Sequence, residues 1–166
     1  MKKIILLAIL AGLALWYFDF GRRMTEQSIT AAYQEQARAM SVMDAAYPCS
    51  HMASGYQSTD VLHGPRGATT RTMDKDQACT RVTRMAEGMQ KLGIAPGGMI
   101  SPRYNIEIKH IELAANRKAA KVEAVATMMV GDVLLMRSYG TEQLIRRVGR
   151  IQTLSSETET WVYGRR

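Results

Sequence analysis

The side chains that come closest to an acid–base pair in this sequence are Asp60 and His63. A histidine has a pKa near neutrality, so a neighbouring carboxylate would make it a workable general base. Their spacing is compatible with contact across a turn, and Tyr56 lies shortly before them as a third candidate. The alternative is a solvated turn histidine and a capping aspartate, which is a common arrangement. The sequence therefore offers a catalytic hypothesis without fixing an activity.

Other catalytic and metal-binding patterns are missing from the sequence. The remaining histidines, His51 and His110, are too far from His63 along the chain to indicate a metal site. The sequence has no nucleophile elbow, no Walker-type loop and no dinucleotide-binding glycine pattern. We therefore predict no metal and no cofactor.

Two cysteines, Cys49 and Cys79, are the only ones in the chain. Their spacing matches no zinc motif and no redox motif. In an oxidising compartment a single disulfide between them is the economical interpretation. Two unpaired, buried thiols are the alternative.

The first 23 residues decide which compartment the rest of the chain occupies. An uncharged run covers residues 4–18, which is shorter than the roughly 20 residues that usually span a bilayer. Basic and aromatic side chains at its two ends can extend it by lying at the membrane surfaces. The predicted interface residues are Lys2, Lys3, Trp16, Tyr17, Arg22 and Arg23.

We interpret this run as an uncleaved signal-anchor, residues 1–23, that is followed by one extracytoplasmic domain, residues 24–166. A cleaved signal peptide and a buried helix of a soluble protein are the alternatives. The charges on the two sides barely discriminate orientation. Because so few residues precede the run, we expect a single pass through a bacterial inner membrane, with the domain in the periplasm.

The chain carries 22 Lys and Arg against 15 Asp and Glu, a net charge of +7. Such a balance can attract anionic lipid, nucleic acid or an acidic partner. The arginines near the C-terminus are interleaved with apolar residues, and no long basic run exists. A solvated basic surface is therefore the preferred interpretation, and nucleic acid is disfavoured as a partner.

The domain begins with helical patterns. A 3.6-residue apolar period predicts a helix from residue 25 to about residue 46, ended by Pro48. Short strands over 56–62 and 68–73 flank a glycine- and proline-bearing turn. A second helix begins at Asp74, which forms a capping box with Gln77, and ends at Gly93. Its predicted buried stripe is Ala78, Val82, Met85, Met89 and Leu92.

The rest of the chain, after a loop over 95–102, has β patterns. We predict strands over 106–113, 120–128, 133–139, 143–153 and 158–163. The first strand should carry a bulge near Lys109, and Gly131 should open a tight turn. Breaks are expected at residues 140–142 and 155–157, with a kink at Gly149. Helices followed by a meander of antiparallel strands indicate an α+β domain.

Three stretches give this order a family resemblance. Residues 58–65 (STDVLHGP) look like a first short strand and its turn, residues 74–93 like the following helix, and residues 104–163 like a set of long strands closed by Trp161. Together they resemble the nuclear transport factor 2-like, or SnoaL-like, fold. The resemblance implies helices packed on a strongly bent antiparallel sheet that encloses a cone-shaped pocket. Tyr56, Asp60 and His63 are the candidates for the polar groups that enzymes of this fold place there.

Two functions from different classes follow. The first is a membrane-anchored envelope protein whose periplasmic domain binds a protein partner, a second copy of itself or an apolar ligand, as in a secretion or envelope assembly. The second is a cone-fold enzyme of isomerase, dehydratase or hydrolase type that acts on a small hydrophobic substrate by acid–base chemistry. The first is our preferred expectation, because the sequence carries an apolar run and lacks catalytic signatures. Membrane-tethered versions of the fold are known in bacterial envelope systems, and the resemblance to those is architectural only.

Overall fold

The computed structural model of the chain describes residues 2–19, 23–65, 67–94, 101–147 and 149–163. Four helices and six strands are present in these ranges. In chain order they are α1 (Lys2–Asp19), α2 (Glu26–Ser41), α3 (Ala46–His51), β1 (Met52–Gly64), β2 (Gly67–Asp74), α4 (Lys75–Lys91), β3 (Pro102–Leu113), β4 (Ala119–Val130), β5 (Val133–Arg147) and β6 (Arg150–Val162). The α+β class is therefore confirmed.

The six strands form one curved sheet in the order β2-β1-β6-β5-β4-β3. All neighbours are antiparallel except β1 and β6, which run parallel. The prediction of a wholly antiparallel sheet was therefore wrong at this pair. Half-buried strands alternate in the same way in parallel and antiparallel pairs, so periodicity could not separate them.

Bulges bend the sheet. The pairing of β3 with β4 shifts between Ile108 and His110, which confirms the bulge predicted near Lys109. Further shifts interrupt the pairings of β1 with β6, β4 with β5 and β5 with β6. Each extra residue bends its strand and increases the local twist. The sheet consequently has a concave face, which α2 and α4 partly cover.

The two breaks predicted within the late strands were wrong. β5 runs without interruption through Gly140, and β6 runs through residues 155–157. A Cβ at Gly140 would lie 3.6 Å from both the Glu157 carbonyl oxygen and Thr158 Oγ1, which is an ordinary van der Waals distance, so this position continues the strand like any other. The turn between β5 and β6 falls instead at Gly149, whose φ of 76° suits glycine.

Both long helices begin at capping residues. Thr25 forms a capping box with Ser28 at the start of α2, and Asp74 forms the predicted one with Gln77 at the start of α4. α2 ends at Ser41, earlier than expected, because the chain leaves the helix at Met43, whose φ is 59°. Pro48 does not end this helix, since it lies in the first turn of the separate helix α3, where proline is tolerated.

The core forms where α2 and the loops around it pack on the concave face. One buried cluster consists of Met24, Ile29, Tyr33, Ala120, Val122 and Leu144. A second consists of Met43, Ala86 and Met128. The prediction that Leu92 belongs to the buried stripe of α4 was wrong, since Leu92 is 75% exposed. The predicted disulfide between Cys49 and Cys79 is confirmed and ties α3 to α4.

α1 carries the apolar run, and its side chains are exposed: Leu10 is 57% and Trp16 is 62% exposed. The transmembrane helix expected here is not found, since no helix in the described ranges is long and apolar enough to cross a bilayer. Among the predicted interface residues, Lys3, Trp16, Tyr17 and Arg23 are exposed. Arg22 and the side chain of Lys2 lie outside what the structure describes, as do residues 95–100 of the predicted loop.

Candidate functional site

Polar side chains of three neighbouring strands meet on the concave face. Asp60 of β1 is paired with Thr158 of β6, which in turn is paired with Gly140 of β5. One register step away, Ser58 is paired with Ser156, and Ser156 with Glu142. Since directly paired residues point to the same face of a sheet, these side chains form two adjacent polar rows.

A cavity of about 320 Å³ lies between these rows and α4, and we call it the Asp60 cavity. Its size is at the lower end of the range for small-molecule sites. Methionine and valine side chains form its walls, and hydroxyl, carboxyl and guanidinium groups face into it. The lining residues are Met52, Tyr56, Ser58, Asp60, Met73, Ala78, Arg81, Val82 and Met85.

Asp60 is half-buried, and within the described ranges its carboxylate takes part in no ion pair or hydrogen bond. Burial raises the pKa of this carboxyl, and the nearby positive charge of Arg81 opposes the increase. A carboxyl with a raised pKa holds a proton more readily near neutral pH than an ordinary aspartate does. Asp60 can therefore accept a hydrogen bond from a molecule in the cavity, and it releases its proton less readily than an exposed aspartate does.

Ser58 and Tyr56 lie beside Asp60 and are 3% and 7% exposed. The Ser58 hydroxyl is buried beside the Tyr56 phenol, which is its neighbour for a side-chain hydrogen bond. A hydroxyl can both donate and accept, so Ser58 could also bond to a ligand in the cavity. Burial raises the pKa of the Tyr56 phenol, so Tyr56 stays protonated and can donate a hydrogen bond.

Glu142 is a second, half-buried carboxyl on the concave face, and sequence reasoning missed it. The Tyr33 hydroxyl of α2 donates to Glu142 Oε2 at 2.6 Å, beside a small cavity of about 50 Å³. Burial raises the pKa of Glu142, and the bond from Tyr33 opposes the increase. The sequence did contain a signal for Glu142, because even spacing along β5 puts it on the same strand face as Ser138 and Leu144. The break that we expected at residues 140–142 hid this alternation.

The structure brings Tyr56 and Asp60 together but places His63 on the opposite, convex face. There the His63 ring stacks on Trp161 with centroids 4.7 Å apart, and His63 Nε2 lies 2.6 Å from Glu159 Oε1. Residues three apart in a strand face opposite sides, so the proposed Asp60–His63 contact fails because β1 is still extended at His63. The hypothesis had assumed that the turn began earlier.

The other candidates behave as simpler structural residues. His51 Nδ1 lies 2.8 Å from the carbonyl oxygen of Tyr47, one helical turn earlier. His110 is exposed on β3. Within the described ranges, no three His, Cys, Asp or Glu side chains are grouped as metal ligands.

The fold of the chain is nuclear transport factor 2-like. A protein of unknown function with this fold from Shewanella oneidensis has a TM-score of 0.61 at 15% identity, and the match covers 82% of this chain and 99% of that one. Aln2 from a Streptomyces species has a TM-score of 0.58 at 15% identity, covering 82% and 93%. Naphthalene 1,2-dioxygenase with indole in its active site has a TM-score of 0.59 at 13% identity, covering 85% and 79%.

These likenesses show the fold alone, because the identities are so low. No sequence profile of a protein family matches the chain. No curated protein sequence matches it either. The function must therefore be argued from the site.

Proposed function

We propose that this chain is a membrane-anchored envelope protein whose domain binds a small, mainly apolar ligand in the Asp60 cavity. The observation that carries the proposal is the lining of that cavity. Met52, Met73 and Met85 supply adaptable apolar walls, while Tyr56, Ser58 and Asp60 supply a few polar groups that would orient a ligand.

The anchor is part of the proposal because of α1. A helix that is apolar on all sides is normally buried in a core or in lipid. Leu6, Leu10 and Leu13 are all more than half exposed, so the domain does not bury them. We therefore infer that α1 lies in a bilayer even though its apolar run is shorter than a usual span, because Trp16 and Tyr17 at its end can extend it at the membrane surface.

The Cys49–Cys79 disulfide supports a periplasmic location, because disulfides persist in oxidising compartments. A domain held beside a membrane would meet apolar molecules that leave or enter it. The position of the domain and the chemistry of its cavity are thus consistent with each other.

The ligand-binding proposal is tested by identifying the small molecules that purify together with the protein. The full chain is purified from membranes, and bound small molecules are extracted and identified by mass spectrometry. Met85→Trp, which fills the cavity, should remove the co-purifying molecule. Thr83→Trp is the matched control, because Thr83 is exposed on the same helix and lies outside the cavity lining. If the wild type and both variants carry the same molecules, the ligand-binding proposal is wrong.

The anchor is tested by membrane fractionation. Leu10→Arg places a charge in the middle of α1, where insertion would become less favourable by about 2.5–3.5 kcal/mol, and should shift the protein towards the soluble fraction. Leu92→Arg changes an equally apolar, exposed residue of the folded domain and should not. Equal release of both variants, or no membrane association of the wild type, would contradict the anchor.

An enzyme of acid–base type is the second candidate, favoured by the raised pKa of Asp60 in a cavity that also contains Tyr56. Asp60 would take or give the proton, and Tyr56 would stabilise developing negative charge. Once the ligand is identified, its conversion by the wild type and by Asp60→Asn separates the two functions. An enzyme predicts product from the wild type only, whereas a binding protein predicts no product from either.

A further inference from the structure

The Asp60 cavity has a basic neighbour. Between β2 and α4 lies a groove of about 700 Å³, which we call the arginine groove. Three guanidinium groups line it, from Arg71, Arg81 and Arg84, together with the single carboxylate of Asp76. The groove therefore carries an excess of positive charge.

Strand register and helix geometry explain why the three arginines converge. Arg71 is directly paired with Asp60, so its side chain leaves β2 on the concave side, where α4 packs. Arg81 and Arg84 are three residues apart on α4 and share a face. None of the three forms an ion pair within 4 Å in the described ranges. Their charges are thus available to an external anion.

Arg81 and Met73 line both the arginine groove and the Asp60 cavity. The two spaces are consequently adjacent, with Arg81, which is half-buried, at their boundary. A molecule with an apolar body and an anionic end could occupy both at once. The apolar body would contact the methionines, and the anionic end would meet the guanidinium groups.

We propose that the ligand is an amphipathic anion whose carboxylate or phosphate is held in the arginine groove while its short apolar body fills the Asp60 cavity. This inference rests on the proposed ligand-binding function and specifies its ligand class. Guanidinium groups suit such an end because they bind carboxylate and phosphate oxygens through paired hydrogen bonds. Asp60 lies on the cavity side of Arg81, so it faces the body of the ligand rather than its charged end.

The test uses isothermal titration calorimetry on the full chain in phosphatidylcholine nanodiscs, with empty nanodiscs as the blank. The probes are octyl phosphate, octanoate, neutral 1-octanol and inorganic phosphate. We expect both octyl anions to bind more tightly than octanol and inorganic phosphate. Arg81→Gln should weaken the octyl anions by roughly tenfold or more, the size expected for a hydrogen bond to a charged group, and should weaken octanol far less, because octanol offers no charge to the guanidinium group.

Arg147→Gln is the matched control, since it removes the same charge at an exposed residue on a distant strand. Equal affinities for octanol and the octyl anions, unaffected by Arg81→Gln, would overturn the anion site but keep an apolar cavity. Inorganic phosphate binding as tightly as octyl phosphate would show a groove independent of the cavity and would also overturn the inference. If none of the octyl compounds binds, both the inference and the proposed function fail.

Discussion

The disulfide between Cys49 and Cys79 should be a main contributor to the stability of the domain. It joins α3 to α4, with the two Cα atoms 5.3 Å apart, across a sequence separation of 30 residues. In the chain-entropy model a loop of that length restricts the unfolded chain by about 3.6 kcal/mol at 25 °C. For a domain of this size the loss should lower the melting temperature by roughly 10 °C.

The measurement is urea unfolding of the full chain followed by circular dichroism. Three forms are compared in one buffer: oxidised wild type, reduced wild type, and the double variant Cys49→Ser with Cys79→Ser. The two forms without the bond should lose similar free energy of unfolding. Ser50→Ala, an exposed neighbour, serves as the control and should change little.

A loss below about 1 kcal/mol in both bridge-free forms would refute the reasoning, because the entropic term depends mainly on loop length. A large loss in the double variant with none on reduction would assign the effect to packing of the sulfur atoms instead. The bond also holds one end of α4, the helix that carries Arg81, Val82 and Met85. Its removal should therefore weaken ligand binding as well.

Three further predictions concern the concave face. Burial raises the pKa of Glu142 above its ordinary value of 4.5, so the folded state keeps a proton that the unfolded state loses, and stability should fall as pH rises through that window by up to about 1.4 kcal/mol per pH unit. Glu142→Gln should flatten this slope in unfolding experiments between pH 4 and 7, and an unchanged slope would contradict the assignment. Tyr33→Phe removes the donor that opposes the shift, so it should extend the slope to higher pH. Leu144→Ala should lower the free energy of unfolding by about 2–5 kcal/mol, because Leu144 is 2% exposed, whereas exposed Leu92→Ala should change it by under about 0.5 kcal/mol.

Local signals in the sequence predicted much of the fold. The Asp74 capping box, the bulge near Lys109 and the turn at Gly131 all depend on neighbouring residues, and the structure has each of them. Glycines led to wrong predictions of strand breaks where their surroundings come from distant parts of the chain. Gly140 suggested a break, but it is paired with Ala124 on one side and with Thr158 on the other, which only the assembled sheet shows.

The candidate site was predictable only in part. Tyr56 and Asp60 do share a cavity, since strand alternation fixes their common face. We wrongly grouped His63 with Tyr56 and Asp60 in one site, because the sequence does not show where β1 ends and the turn begins. Glu142, Arg71 and Arg81 come from three distant elements, and their approach depends on strand order and helix docking rather than on any local pattern.

The parallel pairing of β1 with β6 has a consequence for how the chain acquires its structure. It joins residues almost one hundred positions apart, such as Asp60 and Thr158, and β6 is the last strand in the described ranges. Because a chain emerges from the ribosome with its N-terminus first, β1 and β2 must wait until β6 has been synthesised before they can join β5, β4 and β3. Such distant pairing also slows folding. The sheet can therefore close only after β6 has been synthesised, and β1 and β2 stay without their central partner until then.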